Sequence, residues 1–241
     1  MANRGERKIQ KSISAPTVRG FFPKKQETFT PKNKPGAHNK TNSVPLSFAM
    51  RHLLEISRDM KETKKLLHEG HIKVNGKARK GREFAVGLFD IVEVLPIAQK
   101  YRMLFDSKGR LVAKKIDSKS PDFKISKVTG KRVGAGGKIW ITTGDGYNIE
   151  LKKEDVGVED SVKISLPDHK ILEVYGMDKG SSAFIMGGVH TGKTVKIEGI
   201  IHGSLKTHTV VEFSDKGNKF QTVIDNVFVI GKAKSEIEAL T

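Results

Sequence analysis

The stretch Gly187–Thr194 (GGVHTGKT) fits the pattern G-x-x-x-x-G-K-[ST], in which glycine-rich backbone and a lysine cradle nucleotide phosphates. That chemistry needs a helix to begin directly after the lysine, so that backbone N–H groups and the helix dipole face the phosphates. Here the continuation alternates Val195 and Ile197 with Lys196 and Glu198, which is the period of a strand. No α/β alternation surrounds it, and no apolar strand ending in a metal-binding Asp follows. The pattern therefore predicts no nucleotide cofactor. His190, His202 and His208 lie nearby, but their loop spacing is not that of a zinc site and carboxylate partners are lacking, so no metal is expected. The chain has no cysteine, which removes thiolate ligands, a cysteine nucleophile and disulfides, and which fits a reducing cytosol. No G-x-S-x-G elbow is present.

The remaining chemistry is charge. Forty-four Lys and Arg against 27 Asp and Glu give a formal charge of +17 and a pI near 9.9. Such an excess points to a polyanionic partner, a nucleic acid above all. The rival partner, a membrane surface, lacks a long apolar run, and the N-terminus lacks the apolar core of a signal peptide.

The cations concentrate around Asp59–Leu95. Asp59 followed by Glu62 reads as a helix start, Leu66 and Leu67 supply a buried side, and Gly70 stands where a left-handed cap belongs. Ile72 and Val74 alternate with His71 and Lys73 as a half-exposed strand. Asn75-Gly76 then signals a type I′ hairpin, whose two central residues both need positive φ. Ile91, Val92 and Val94 form a second strand. The polar side of this unit carries Lys61, Lys64, Lys65, His68, Lys73, Asn75, Lys77, Arg79, Lys80 and Arg82, a layout suited to a structured RNA backbone. Upstream, Pro45 suits a first turn and Leu46, Met50, Leu53 and Leu54 mark a preceding helix, with Arg51, His52 and Arg58 off its apolar face. Before that, residues 1–42 show no apolar period and are rich in Pro, Ser, Thr and Gly. This arm is expected to be disordered when free, and to thread between phosphates through Arg7, Lys8, Lys11, Arg19, Lys24 and Lys25, with Phe21 and Phe22 available to stack or wedge.

After Pro96 the chain turns to short strands separated by turns. Tyr101–Phe105 and Arg110–Ile116 flank a hairpin turn, and Phe123–Thr129, Lys138–Thr143, Tyr147–Leu151, Val162–Leu166 and Ile171–Tyr175 follow. This spacing predicts a small barrel or sandwich, with Trp140 as a core aromatic. Ala183–Met186, Thr194–Ile201, Thr209–Phe213, Lys219–Ile224 and Val227–Ile230 supply the strands of a five-stranded SH3-like barrel.

Several resemblances sharpen these expectations. The run LLHEGHIKVNGK at Leu66–Lys77 resembles the α-L RNA-binding domain, which occurs also in pseudouridine synthases, some aminoacyl-tRNA synthetases and heat-shock RNA binders. The residues around Gly187–Ile197 resemble a KOW motif, whose glycine-bearing loop lays backbone against RNA or protein; His190, Lys193 and Lys196 would be its polar contacts. A pseudouridine synthase would need an Asp after a Gly-Arg-Leu stretch, and Val112 follows Gly109-Arg110-Leu111 instead. The order of basic arm, α-L domain, β-rich middle and KOW-type barrel is similar to that of the family of small-ribosomal-subunit protein four of archaea and eukaryotes. Ala15-Pro16, Arg102–Lys115 (RMLFDSKGRLVAKK) and the terminal FVIGK at Phe228–Lys232 add to that likeness.

The expected fold is thus α+β and mostly β. It divides into a basic extension over 1–42, an α-L helix-pair and hairpin domain over 43–98, a central small β-barrel or sandwich over 99–175, and a KOW SH3-like barrel over 176–241. The resemblance implies a non-enzymatic constituent of the cytoplasmic small ribosomal subunit that binds and stabilises rRNA for translation. Its partners would be small-subunit rRNA and neighbouring ribosomal proteins, without cofactor, membrane or homo-oligomer. The alternatives are a KOW-bearing transcription, translation or ribosome-assembly factor, and an RNA-modifying enzyme.

Overall fold

Short antiparallel strands and few helices make up the protein in the computed structural model. The structure describes residues 10–20, 25, 27–117, 122–151, 156–204, 207–215, 218–232, 235 and 237. Arg7, Lys8, Phe21, Phe22 and Lys24, singled out in the sequence, lie outside the described residues. The chain divides into two units, Met1–Met103 with Arg110–Ser118, and Leu104–Gly109 with Lys119–Thr241.

In the first unit, β1 (Gln10–Lys11) pairs antiparallel with β2 (Phe29–Thr30). Strand β3 (Ser43–Pro45) runs into α1 (Leu46–Phe48), which continues as a π-helical turn over Ala49–Leu53. Helix α2 (Met60–His68) leads to β4 (Ile72–Val74) and β5 (Lys77–Ala78). Next come β6 (Ala85–Gly87), paired with β3, then β7 (Ile91–Val94), β8 (Gln99–Phe105) and β9 (Leu111–Ile116). One sheet has the order β5-β4-β7-β8-β9. Val44, Leu46, Phe48, Met50, Leu67, Ile72, Val74, Val86, Phe89, Val92, Val94 and Met103 are buried. Each such side chain removed from water is worth about 1.5–3 kcal/mol, and this burial fixes the face that α2 turns inward.

Three expectations change here. The helix predicted from Val44 is a single α-turn followed by wider hydrogen bonds, Leu54 N–H to Ala49 O at 2.9 Å and Ile56 N–H to Met50 O at 3.0 Å. Pro45 closes a strand, because its extended ψ of 144° places it before the first helical residue. The hairpin Tyr101–Phe105/Arg110–Ile116, assigned by position to the central region from residue 99, continues the sheet of β4 and β7, with Ile91 opposite Arg102 and Val92 opposite Tyr101.

The arm is also more ordered than expected over its described part, and polar side chains do the ordering. Asn33 Nδ2 donates to the Ser43 carbonyl at 3.0 Å and to Ser43 Oγ at 2.7 Å, and Lys34 N–H donates to Glu83 O at 2.9 Å. Apolar periodicity is blind to such links, which is why composition alone suggested disorder.

In the second unit, β10 (Phe123–Val133), β11 (Ile139–Thr143), β12 (Asn148–Leu151), β13 (Ser161–Ser165) and β14 (Ile171–Tyr175) form a sheet ordered β12-β11-β10-β13-β14. Its core is Val128, Ile141, Val156, Val162 and Ile164, with Ile149, Leu151, Ile171 and Val174 against it. Trp140, expected in a core, alternates with Ile141 along β11 and stays half-buried against Gly134.

Strands β15 (Ser182–Ile185), β16 (Thr194–Ile201), β17 (Val210–Asp215), β18 (Asn218–Val223) and β19 (Val227–Gly231) form a second five-stranded sheet ordered β18-β17-β16-β15-β19. Buried Lys127 joins the two sheets. Its ammonium donates to Ile224 O at 2.9 Å and Val227 O at 3.2 Å and forms an ion pair with Glu159.

Candidate nucleic-acid interface

Helix α2 starts after Asp59, whose extended φ and ψ place it at the N-cap without a side-chain hydrogen bond. Glu62 reaches back instead, its Oε2 accepting the Arg58 N–H at 2.9 Å, while the Thr63 hydroxyl donates to Asp59 O at 2.9 Å. Thr63 and Leu67 form the buried stripe. Lys61, Lys64, Lys65 and His68 are therefore left on the exposed side. Gly70, at φ +77°, ends the helix with its N–H on Leu67 O, and His71 N–H reaches Leu66 O.

The hairpin follows with Val74 directly opposite Lys77, so Asn75 and Gly76 are its only turn residues, at φ +52° and +77°. This is the type I′ geometry that the dipeptide predicted. Lys77 and Lys80 are exposed on it, Lys73 is half-buried, and exposed Arg82 lies 3.5 Å from Glu83. Arg79 is half-buried, with its guanidinium 4.5 Å from the Phe84 ring centroid, a cation–π contact that holds it against the fold.

Asn75, expected among the RNA contacts, is buried and does something else. Its Nδ2 donates to Asp90 Oδ1 at 2.8 Å, and its Oδ1 accepts the Ile91 N–H at 3.0 Å. Buried Asp90 also accepts the Gly87 N–H at 2.8 Å and His38 Nε2–H at 2.8 Å. A carboxylate with four acceptor sites thus gathers turn, strand and arm at one point. Sequence reading missed His38 and Asp90. They stand 52 residues apart, and no local spacing could have connected them.

Arg19 is a further correction. Expected to reach phosphates, it is buried, with NH1 donating to Thr30 Oγ1 at 2.8 Å and NH2 to Gln10 Oε1 at 3.0 Å and Pro31 O at 2.8 Å. Burial lowers its pKa to about 10, so the guanidinium stays charged at neutral pH and serves the arm's own fold. Lys11 and Lys25 are exposed. Arg51 donates to Arg58 O at 3.1 Å and lies 3.3 Å from Glu27, and Arg58 is exposed. His52 is exposed with its ring centroid 4.6 Å from that of Phe48. Partial burial, then the positive charges of Arg51 and Arg19, lower its pKa against the opposing pull of Glu27. His52 therefore offers a neutral ring at pH 7.

In the second unit, residues 187–193 form a loop and β16 begins at Thr194, so no helix follows Lys193 and the nucleotide-binding geometry is absent there. Gly192 sits at φ +84°, where an added Cβ would lie 2.9–3.0 Å from the backbone of Asp106 and Ser107. Lys193 and Lys196 are exposed, whereas His190 stacks on Phe220 at 4.0 Å between centroids. Among the described residues no cluster of His, Asp or Glu is arranged to hold a metal, and no helix is long and apolar enough to cross a membrane.

These features define a strongly basic, mostly β scaffold that presents a cationic helix and hairpin. Known proteins agree with that class. The family described as "Ribosomal family S4e" matches residues 97–171. The chain is 36% identical to the small ribosomal subunit protein eS4 of Methanothermobacter thermautotrophicus, over 98% of both chains. It is also 36% identical to the eS4 protein of Methanocaldococcus jannaschii, over 96% of this chain and 97% of that one. The crystal structure of 30S ribosomal protein S4e from Thermoplasma acidophilum aligns with a TM-score of 0.68 at 31% identity, covering 80% of this chain and 96% of that one. The chain belongs to the eS4 family of small ribosomal subunit proteins.

Proposed function

We propose that this protein is a structural constituent of the small ribosomal subunit that binds folded small-subunit rRNA and transforms nothing chemically. The observation that carries this reading is the match to relatives named small ribosomal subunit protein eS4, end to end in both chains. The exposed row of Lys61, Lys64, Lys65 and His68, continued by Lys77, Lys80 and Arg82 on the hairpin, supports rRNA as the ligand. Together with Ile72, Val74 and the Asn75-Gly76 turn, this unit acts as an α-L-type module. The sheet from β15 to β19 acts as a KOW-type barrel whose loop offers Lys193 and Lys196. Neighbouring ribosomal proteins share the site of action, which is the cytoplasmic ribosome.

Binding is by counterion release, at about 0.7–0.9 log units of affinity per log unit of salt for each phosphate neutralised, and specificity comes from the fixed spacing of the cationic elements. Co-sedimentation with small subunits through high-salt sucrose tests this. Stoichiometric retention is expected, and release at moderate salt would favour a transient factor instead. The triple variant K61E/K64E/K65E, on a helix whose buried stripe it leaves intact, should weaken rRNA binding and reduce its salt dependence while unfolding unchanged.

A further inference from the structure

The hairpin between β10 and β11 is not accounted for by that interface. β10 is eleven residues long, and only its first half, Phe123–Lys127, pairs with β13. Past a register shift between Val128 and Gly130, the strand pairs with β11 alone, Lys131 opposite Ile141, Arg132 opposite Trp140 and Val133 opposite Ile139. Strand neighbours point to opposite faces, so a strand lying on a core buries alternate residues. Lys131, Arg132 and Val133 are instead all exposed, Val133 at 71%. The end of β10 is therefore exposed on both faces, while β11 beside it stays half-buried at Ile139 and Trp140 and pairs along its other edge with β12, Ile139 opposite Leu151.

Its chemistry is one-sided. From Phe123 to Gly144 the chain contains Lys124, Lys127, Lys131, Arg132 and Lys138 and no acidic residue. Lys124 and Lys127 are buried and bonded inside, which leaves Lys131, Arg132 and Lys138 on the projecting part. Glu150 on β12 lies 3.0 Å from Lys138. At the tip, Gly134–Gly137 exposes backbone with almost no side-chain bulk, and half-buried Trp140 lies across the ribbon from Arg132.

We propose that this ribbon is a second RNA-contact element, gripping the sugar–phosphate backbone of the same rRNA at a place apart from the α2 face. The inference rests on the reading of the protein as an rRNA binder. Charge selects the occupant: an outer strand carrying cations on both faces, ending in a glycine-rich tip, fits between phosphate ridges, and Trp140 on the face of Arg132, with Val133 on the other, offers apolar surface to sugars or an unstacked base.

Trp140 is the chain's one tryptophan, so its fluorescence reports on the ribbon without labelling. The experiment titrates a small-subunit rRNA transcript into the full chain, following filter retention together with acrylamide quenching of Trp140. Binding should shield Trp140 from acrylamide. The variant K131E/R132E should lower the salt slope by about 1.5 log units per log unit and lose the shielding while still binding. Variant K61E/K64E/K65E should lose affinity yet keep the shielding in whatever complex forms. Retention of rRNA with Trp140 as accessible as in the free protein overturns the ribbon contact and leaves the α2 reading standing. Shielding that appears only with added ribosomal proteins overturns RNA as the occupant. Failure of every form to retain rRNA overturns both.

Discussion

Replacing Asn75 tests whether the cationic hairpin is held from inside. Asn75→Ala removes the donor to Asp90, a hydrogen bond to a charged group worth about 1.5–3 kcal/mol, and strands the buried Ile91 N–H at about 1–3 kcal/mol. It also places a residue with a Cβ and no polar side chain at φ +52°, at about 1 kcal/mol. The loss should come to about 4 kcal/mol, a large share of a typical domain's roughly 5–15 kcal/mol. Asn75→Gly removes the same hydrogen bonds but relieves the backbone, so it should lie about 1 kcal/mol above Ala. Urea unfolding at constant m-value measures both, and hydrogen exchange at the Ile91 amide shows whether the damage is local. If both variants unfold within about 0.5 kcal/mol of the parent, as ordinary surface substitutions do, the polar node does not hold the turn.

Other outcomes follow from the same geometry. Arg19→Lys keeps the charge but loses the planar fork shared by Thr30, Gln10 and Pro31, so the arm should loosen, read as faster exchange and proteolysis at residues 10–30, with the salt slope of rRNA binding unchanged. Gly192→Ala should cost about 2–4 kcal/mol in urea unfolding, since strained φ adds to overlap with Asp106 and Ser107. Gly188→Ala, at φ +92° in open space, should cost about half of that. His52 has a pKa lowered in the folded state, so folding disfavours its proton. Its contribution to stability is whole above the ordinary histidine pKa and falls away as pH drops through it towards the folded value. A His52→Gln variant should therefore show a shallower loss of stability between about pH 7 and 5.

The strands were legible from residue 99 onward because their apolar positions alternate between turn residues, and β16 after Lys193 was legible enough to reject a nucleotide loop. Asn75-Gly76 and Gly70 were legible because few other residues adopt their φ. What escaped were features made by partners distant in sequence. The arm's order depends on polar side chains finding acceptors that apolar periodicity does not register: Arg19 and Asn33 about ten residues away, and His38 on Asp90 far along the chain. Arg19 and Asn75 carry residue types common at RNA interfaces, yet burial assigns them to the fold. The hairpin ending at Ile116 was placed with its later neighbours because chain order says nothing about which sheet edge a strand will extend. The π-turn after α1 left no mark in the pattern either, since Leu46 and Met50 are buried under one pitch or the other.

Lys127 has a consequence for how this sequence can be cut or exchanged. Removing everything before residue 176 would leave the carbonyls of Ile224 and Val227 without the ammonium they share, while the severed half would keep a buried positive charge with only Glu159 to answer it. The final sheet is thus not a cassette that can be transplanted intact. A transplant cut at that boundary would have to supply a substitute for Lys127 in the same step.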